Sequence, residues 1–310
     1  MDFKQLRAFM TVANTGNVTR AAELLNLVQP AVTRQVRLLE EDLGTDLFER
    51  QRQGMVLTDA GKSLLVYARR AMLELDRARA EIGGATGEIS GIATIGLLPS
   101  TADIVASALI SAVAEAHPGI RMRIATGYAG TLQNWIETGE IDAALLYDVE
   151  RAPAIASRPL LEEDLWIVGP LEAKLRAAKP VPISALVGRP LILPSGPKGI
   201  RTLVDHACAV AGVELTVVAE TNAMNVQKSL VLGGHGFTVL PPIAVADELA
   251  RKLLSAAPLS EPAITRTIVL ALPASREVGA HVRRVVELMV DRVRSAVERG
   301  AWPEARWVGG

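Results

Sequence analysis

Residues 18–39, VTRAAELLNLVQPAVTRQVRLL, constrain the fold of this chain more than any other stretch. The spacing predicts two short helices joined by a tight turn. Small and apolar residues recur at Ala21, Ala22, Leu25, Leu27, Val32, Val36 and Leu39, which lets one helix pack closely across the other. The outward face of the second helix is left to Gln29, Thr33, Arg34 and Arg37, side chains suited to base edges and phosphates in a major groove. This helix-turn-helix pattern makes double-stranded DNA the first partner to consider. An ordinary solvated helix face is the rival reading of the same four residues.

The flanks extend the pattern. A preceding helix is expected over roughly Phe3–Ala13, where Phe3, Leu6, Phe9, Met10 and Ala13 keep helical spacing before Gly16 and Asn17 end it. Thr19 is placed to cap the next helix, and Pro30 to open the one after that. Beyond Gly44, TDLFERQRQGMVLT reads as a two-stranded wing that brings Arg50 and Arg52 to its tip, within reach of a phosphate or a minor groove. From Thr58, a candidate N-cap, to Ile82 runs an unbroken helical pattern with a stripe of Leu64, Leu65, Ala68, Met72, Leu75 and Arg79. A helix of about 24 residues extends about 36 Å. That exceeds what one small domain covers and points to a dimer-forming linker, with a core helix of a single large domain as the alternative. GGATGEISG (83–91) then gives a hinge and the clearest boundary.

Charge sets a condition on DNA binding. The chain carries a net charge of −1 over 310 residues. Within residues 1–58, seven basic residues (Lys4, Arg7, Arg20, Arg34, Arg37, Arg50, Arg52) meet seven acids (Asp2, Glu23, Glu40, Glu41, Asp42, Asp46, Glu49), for a net of zero. Attraction must come from arrangement rather than from the sum, and a dimer would double the phosphate contacts. Aromatic residues make up only 4% of a chain that is 49% hydrophobic, so the core must be built from Ala, Val, Leu and Ile. No apolar run approaches the roughly 18 residues of a membrane span, and MDFKQLRAFM lacks a secretion pattern. A cytoplasmic protein with no membrane partner is expected. The single cysteine, Cys208, is expected to be a small buried hydrophobe, with a reactive sensor thiol as the alternative.

After the hinge, strand-like and helical runs alternate. IATIGLL (92–98), a helix from about Thr101 to Ala116, IRMRIAT (120–126), a helix near Thr131–Thr138 and IDAALLY (141–147) form a first set. A second set comprises LLEEDLWIV (160–168), PLILPS (190–195), a helix near Ile200–Ala211, ELTVVAE (214–220), a helix near Ala223–Leu232 and GFTVLP (236–241). ITRTIVLAL (264–272) and a last helix over about Ser275–Glu298 follow. The alternation predicts an α/β domain with largely parallel sheets, in two halves with a ligand cleft between them.

The whole chain resembles the LysR-type transcriptional regulators. The resemblance is carried by LRAFMTVANTGNVTRAAELLNLVQPAVTRQVRLLEEDLGTDLFERQRQGMVLTDAG (6–61) and echoed in GLLPST (96–101), AHPGIRMRI (116–124), LQNWIETGEIDAALLY (132–147), LLEEDLWIVGP (160–170) and GGHGFTVLPP (233–242). It implies a winged helix-turn-helix over residues 1–58, a dimerising linker helix and hinge over 59–88, and an effector domain over 89–310. That domain would have two Rossmann-like lobes, as in type 2 periplasmic binding proteins, lobe I over about 89–161 and 266–310 and lobe II over about 162–265. It also implies a homodimer, commonly paired into a tetramer, a small-molecule effector, and RNA polymerase as a further partner. Family members usually have Ser before the Gln-Pro pair. Here the residue is Val28, which cannot cap a helix and removes any phosphate contact by a hydroxyl. Nitrogen-assimilation-type regulators in the family also lack that Ser.

Effector contacts are sought where strands end or helices begin, because backbone N–H groups there can receive an anion. Ser100 and Thr101, Tyr128, Tyr147, Ser195 and Gly196, and Asn222 hold such positions. The family resemblance implies contacts at Ser100, near Tyr128 and around Ser195–Lys198. Simple capping or turn formation would explain each position equally well. Lys198 and Arg201 are candidates to counter a carboxylate, which makes a small organic anion or amino-acid-like compound the expected effector; solvated rim charges are the alternative. No metal or other cofactor is expected. His117, His206, His235 and His281 are scattered, and GGHGF (233–237) ends a helix and enters a strand, the reverse of a dinucleotide site. Two rivals remain, a solute-binding protein and a metabolic enzyme on the same scaffold. The first leaves residues 1–82 unexplained, and the second lacks a convergent acid, base or nucleophile.

Overall fold

A carboxylate in the last turn of the third helix is joined to the start of the first strand by two hydrogen bonds that organise the amino-terminal unit. In the computed structural model, which describes residues 1–51, 54–83, 89–147, 153–196, 199–274 and 277–309, the Glu40 carboxylate accepts from the N–H groups of Leu47 (2.9 Å) and Phe48 (3.3 Å). The unit comprises α1 (Phe3–Thr15), α2 (Val18–Leu25), α3 (Gln29–Leu43), β1 (Phe48–Gln51), β2 (Gly54–Leu57) and α4 (Asp59–Gly83). Ala21 and Ala22 are buried where α2 crosses its neighbours, and Phe9, Val12, Val32, Val36 and Leu39 fill the space around them. Phe9 and Phe48 meet with ring centroids 5.4 Å apart, tying the helices to the wing. At the return strand, the Met55 N–H donates to the Gly16 carbonyl at 2.8 Å. Gly54 beside it is at φ 124°, and a Cβ there would lie 2.4 Å from the same oxygen, so this turn needs glycine.

Two details of this unit correct the sequence expectation. Asn17, not Thr19, caps α2: its side chain accepts from the N–H groups of Thr19 and Arg20. Leu27 is not a packing residue but stands 49% exposed in the turn. Thr58 caps α4 as expected, accepting from the Gly61 N–H at 3.0 Å while donating to the Asp46 carbonyl at 2.8 Å. On α4 the stripe residues Leu64, Leu65 and Ala68 pack on the unit's core. The Arg79 side chain, and the hinge at 84–88, lie outside the described residues.

The second unit comprises most of the chain from Gly84 onward. Its elements are β3 (Gly91–Leu97), α5 (Pro99–Ala116), β4 (Ile120–Thr126), α6 (Ala129–Thr138), β5 (Ala143–Tyr147), β6 (Ile155–Asp164), β7 (Trp166–Pro170), β8 (Val181–Pro182), β9 (Pro190–Pro194), α7 (Ile200–Ala211), β10 (Thr216–Thr221), α8 (Met224–Leu232), β11 (Thr238–Leu240), α9 (Ala246–Ala250), β12 (Leu254–Ser260), β13 (Thr265–Pro273), α10 (Ala280–Glu298) and β14 (Ala305–Trp307). One sheet has the order β14-β6-β13-β5-β3-β4. The other lobe holds β11-β7-β12-β8 and the parallel pair β10-β9, joined where the Ile192 N–H donates to Phe237 and the Phe237 N–H to Pro190. The chain leaves the first sheet at Leu165 and returns at Ile264, and these crossings bond to each other, Leu165 N–H to Ile264 carbonyl at 2.7 Å.

The sheets are mixed rather than largely parallel. In the first, β3 pairs in parallel with β4 and β5, but β13 runs antiparallel to β5 and β6, and β14 antiparallel to β6. Parallel pairing holds where a helix connects consecutive strands; β13, which enters from the other lobe, arrives in the opposite sense. LLEEDLWIV likewise divides, β6 and β7 belonging to different sheets. The last helix begins at Ala280, later than Ser275, which lies outside the described residues. Among the described residues no helix is long and apolar enough to cross a membrane.

Candidate functional site

The outer face of α3 is built by default. With Val32, Val36 and Leu39 committed to the core, Gln29, Pro30, Arg34 and Arg37 are left exposed and Thr33 half-exposed. Val28 occupies the N-cap position without a side-chain cap and is 70% exposed, while Pro30 opens the first turn. Gln29 Nε2 donates to Thr33 Oγ1 (3.1 Å), and that hydroxyl donates to the Gln29 carbonyl (3.1 Å). The two polar residues nearest the helix start are thus held together. Arg37 pairs with Glu41 at 2.7 Å, both well exposed; such a pair is worth about 0–1 kcal/mol and is readily exchanged for a phosphate. Arg50 is exposed on β1 opposite Met55. Thr19 is exposed in the first turn of α2. Arg52 lies outside the described residues.

Between the lobes of the second unit is a cavity of about 280 Å³. Ser100, Tyr128, Tyr147, Ser195 and Asn222 line it, as the sequence suggested. Most of the remaining wall is apolar, including Leu98, Ile200, Met224 and Leu240. Burial pushes the Tyr128 phenol above its usual pKa, against a hydrogen bond from the Met224 backbone and with a further rise from Tyr147, so it stays a neutral phenol at physiological pH. Gly199 closes the lobes on each other: at φ 65°, a Cβ there would lie 2.5 Å from the Tyr147 hydroxyl.

Three expected contacts fall elsewhere. Thr101 is buried and its hydroxyl donates to the Leu98 carbonyl at 3.1 Å, a bond within the first turn of α5. Gly196 forms a turn at φ 81° outside the cavity lining. Arg201 is also outside the lining, its guanidinium held by Asp205 and Glu220, which raise its pKa further. Helical spacing explains this, because Asp205 is one turn along α7. Lys198 lies outside the described residues.

Among the described residues, the cation that lines the cavity is Arg266 on β13. It bonds Glu163 through Nε (2.8 Å) and Nη2 (2.6 Å), donates to Ser100 Oγ (2.9 Å) and lies 4.6 Å over the Tyr147 ring. Glu163 also accepts from Trp302 Nε1 at 2.9 Å. A lone arginine inside the apolar run ITRTIVLAL was the available signal, since a charge in a buried strand needs a partner. Gln227, buried on α8, and Thr131 on α6 are further polar lining residues that sequence reasoning missed.

A winged helix-turn-helix followed by a two-lobed α/β domain with a cleft between the lobes defines a DNA-binding regulator with a ligand domain. Residues 3–62 match the model of the bacterial regulatory helix-turn-helix protein, lysR family, and residues 86–294 match the LysR substrate binding domain. The chain belongs to the LysR family of transcriptional regulators. It is 31% identical to the HTH-type transcriptional regulator BbuR of Bordetella bronchiseptica, over 98% of this chain and 93% of the relative. It is 29% identical to the nitrogen assimilation regulatory protein nac of Escherichia coli, over 97% and 99%. Among solved structures, CbnR, a LysR family transcriptional regulator, shares the fold with a TM-score of 0.72 at 23% identity, over 94% of this chain and 99% of that one. A full-length OxyR variant from Pseudomonas aeruginosa does so with a TM-score of 0.69 at 23% identity, over 95% of each.

Proposed function

We propose that this regulator reads its operator through Gln29, Thr33 and Arg34 at the start of α3, and that Arg37 and the wing arginines Arg50 and Arg52 hold phosphates. One observation carries the reading: on a helix whose inner face is fully buried, these groups all stand outward, with only an exposed carboxylate competing for Arg37. Two copies, joined along α4 and commonly paired again into a tetramer, supply the phosphate contacts that a neutral single domain lacks. CbnR has been solved with its target DNA, and the same mode of use is proposed here, in the cytoplasm and without catalysis. The test is a gel-shift titration at fixed salt on fragments upstream of the protein's own coding region. Arg34→Ala should weaken binding by about 1–3 kcal/mol while leaving the dimer intact; unchanged affinity removes Arg34 from the reading face.

The cleft is proposed to take a small organic acid whose occupancy shifts the protein between two arrangements on DNA. Arg201 is withdrawn as the counter-charge because its own acids hold it. Support comes instead from Ser100, whose hydroxyl and N–H stand in the first turn of α5, where Pro99 has no N–H and those of Thr101 and Ala102 are taken by the Leu98 carbonyl. Arg266 adds donors without net charge, since Glu163 balances it.

A further inference from the structure

We propose that Gln227 makes the cleft selective for a monocarboxylic acid that carries a hydroxyl or amino group at its far end, an inference that rests on the cleft being the effector site. Gln227 is 2% exposed and lines the cavity from α8. Its Nε2 donates to the Ile192 carbonyl at 3.3 Å and to Thr238 Oγ1, and Thr238 passes its own proton to the same carbonyl at 2.7 Å. Those bonds fix which end of the amide is which. A main-chain carbonyl must meet the NH₂ group, so both amide hydrogens are committed inside the second lobe. Oε1 is left as an acceptor with no partner among the described residues, and it is not one of their sealed unpartnered atoms. Because Gln227 lines the cavity and its NH₂ group is turned into the second lobe, we infer that Oε1 faces the space the ligand would fill.

The opposite wall has the reverse character. Ser100 Oγ accepts from Arg266 and keeps its own proton to donate toward the cavity, alongside the Ser100 backbone N–H; Pro99 has no N–H, and those of Thr101 and Ala102 are bonded to the Leu98 carbonyl. One wall therefore offers donors and the other an acceptor. A ligand satisfying both has an acceptor at one end and an O–H or N–H at the other. A second carboxylate would meet Gln227 Oε1 lone pair to lone pair and is rejected. The cavity of about 280 Å³ suits a small ligand.

The experiment is isothermal titration of the full-length protein with straight-chain acids of four to seven carbons. Each length is compared as the parent acid and as its ω-hydroxy, ω-amino, ω-methoxy and dicarboxylic counterparts. At the length that fits, the ω-hydroxy or ω-amino acid should bind about tenfold to a hundredfold more tightly than its parent, because the parent leaves Oε1 desolvated and unpaired. The methoxy acid, which keeps the oxygen but has no proton to give, should fall to the parent's affinity or below, and the dicarboxylate should not bind. Gln227→Met should abolish the preference, so that within the variant the ω-hydroxy and ω-amino acids bind no better than their parent. Equal binding of parent and hydroxy acid, a methoxy acid as good as the hydroxy acid, or a preference that survives Gln227→Met overturns the role of Gln227 and leaves the cleft as an acid site. Failure of every acid to bind overturns the acid class itself, while operator binding remains intact as a separate result.

Discussion

Arg266 and Glu163 form a buried ion pair against the cleft, with side chains 1% and 0% exposed and a shortest N–O distance of 2.6 Å. Removing one partner of such a pair leaves an uncompensated charge in a low-dielectric interior and costs about 3–5 kcal/mol. Glu163→Gln, which keeps the shape and the acceptor but removes the charge, should lower the midpoint of urea unfolding accordingly. The exposed pair between Arg306 and Asp164 on the neighbouring strands provides the contrast. Arg306→Ala should cost less than about 1 kcal/mol. Equal effects of the two substitutions would mean that Glu163 is not holding a charge.

The caps of the reading motif make a second set of expectations. Asn17→Ala should destabilise the amino-terminal unit by about 1 kcal/mol, because it strips the acceptor from the Thr19 and Arg20 N–H groups. Thr19→Ala should be nearly neutral in thermal unfolding. Val28→Ser restores a hydroxyl where α3 has no side-chain cap and should stabilise by up to about 1 kcal/mol. The reverse ranking of Asn17 and Thr19 would return the cap to Thr19.

Local chemistry was legible and long-range chemistry was not. The α3 boundaries follow from Pro30 and Gly44, and α7 and β4 lie where apolar periodicity put them. Asn17 was readable too, since Asn is a better cap than Thr and directly follows the glycine that ends α1. By contrast, β12 (LSAAPLS) and the three-residue β14 have no alternation to announce them and exist because β7 and β6 offer edges. Arg201 was misjudged because proximity to Lys198 in sequence suggested a shared site, whereas the helix gave it Asp205. Arg266 was visible as an oddity in an apolar strand. Its partner lies 103 residues away in sequence, and no local pattern links them.

Cys208 is buried on α7, and burial pushes its thiol up to about 11, with Asp205 adding to the rise. At pH 7 the reactive thiolate is then on the order of one part in ten thousand. Iodoacetamide labelling of the folded protein should be negligible at neutral pH and should rise only as pH approaches that value. The linkage has a definite sign: the unfolded thiol ionises first, so stability is unaffected at neutral pH and declines as pH rises from about 9 toward about 11. Rapid modification at pH 7 would reinstate Cys208 as a sensor. Peroxide should leave operator binding unchanged.

Arg34 and Arg37 should differ in kind. Arg34 lies nearer the start of α3, where reading helices meet base edges, while Arg37 lies one turn nearer the middle and pairs with Glu41. Arg37→Ala should therefore weaken all operator variants alike and reduce the slope of log affinity against log salt by about 1 per subunit. Glu41→Ala, which removes the carboxylate competing for Arg37, should tighten binding severalfold at low salt and lose that advantage as salt is raised. Arg34→Ala should leave the slope nearly unchanged and relax discrimination at one base pair, most plainly a guanine. Binding measured from about 50 to 200 mM salt on matched operator variants separates the roles. A flat salt response for Arg37→Ala with lost base discrimination would exchange them.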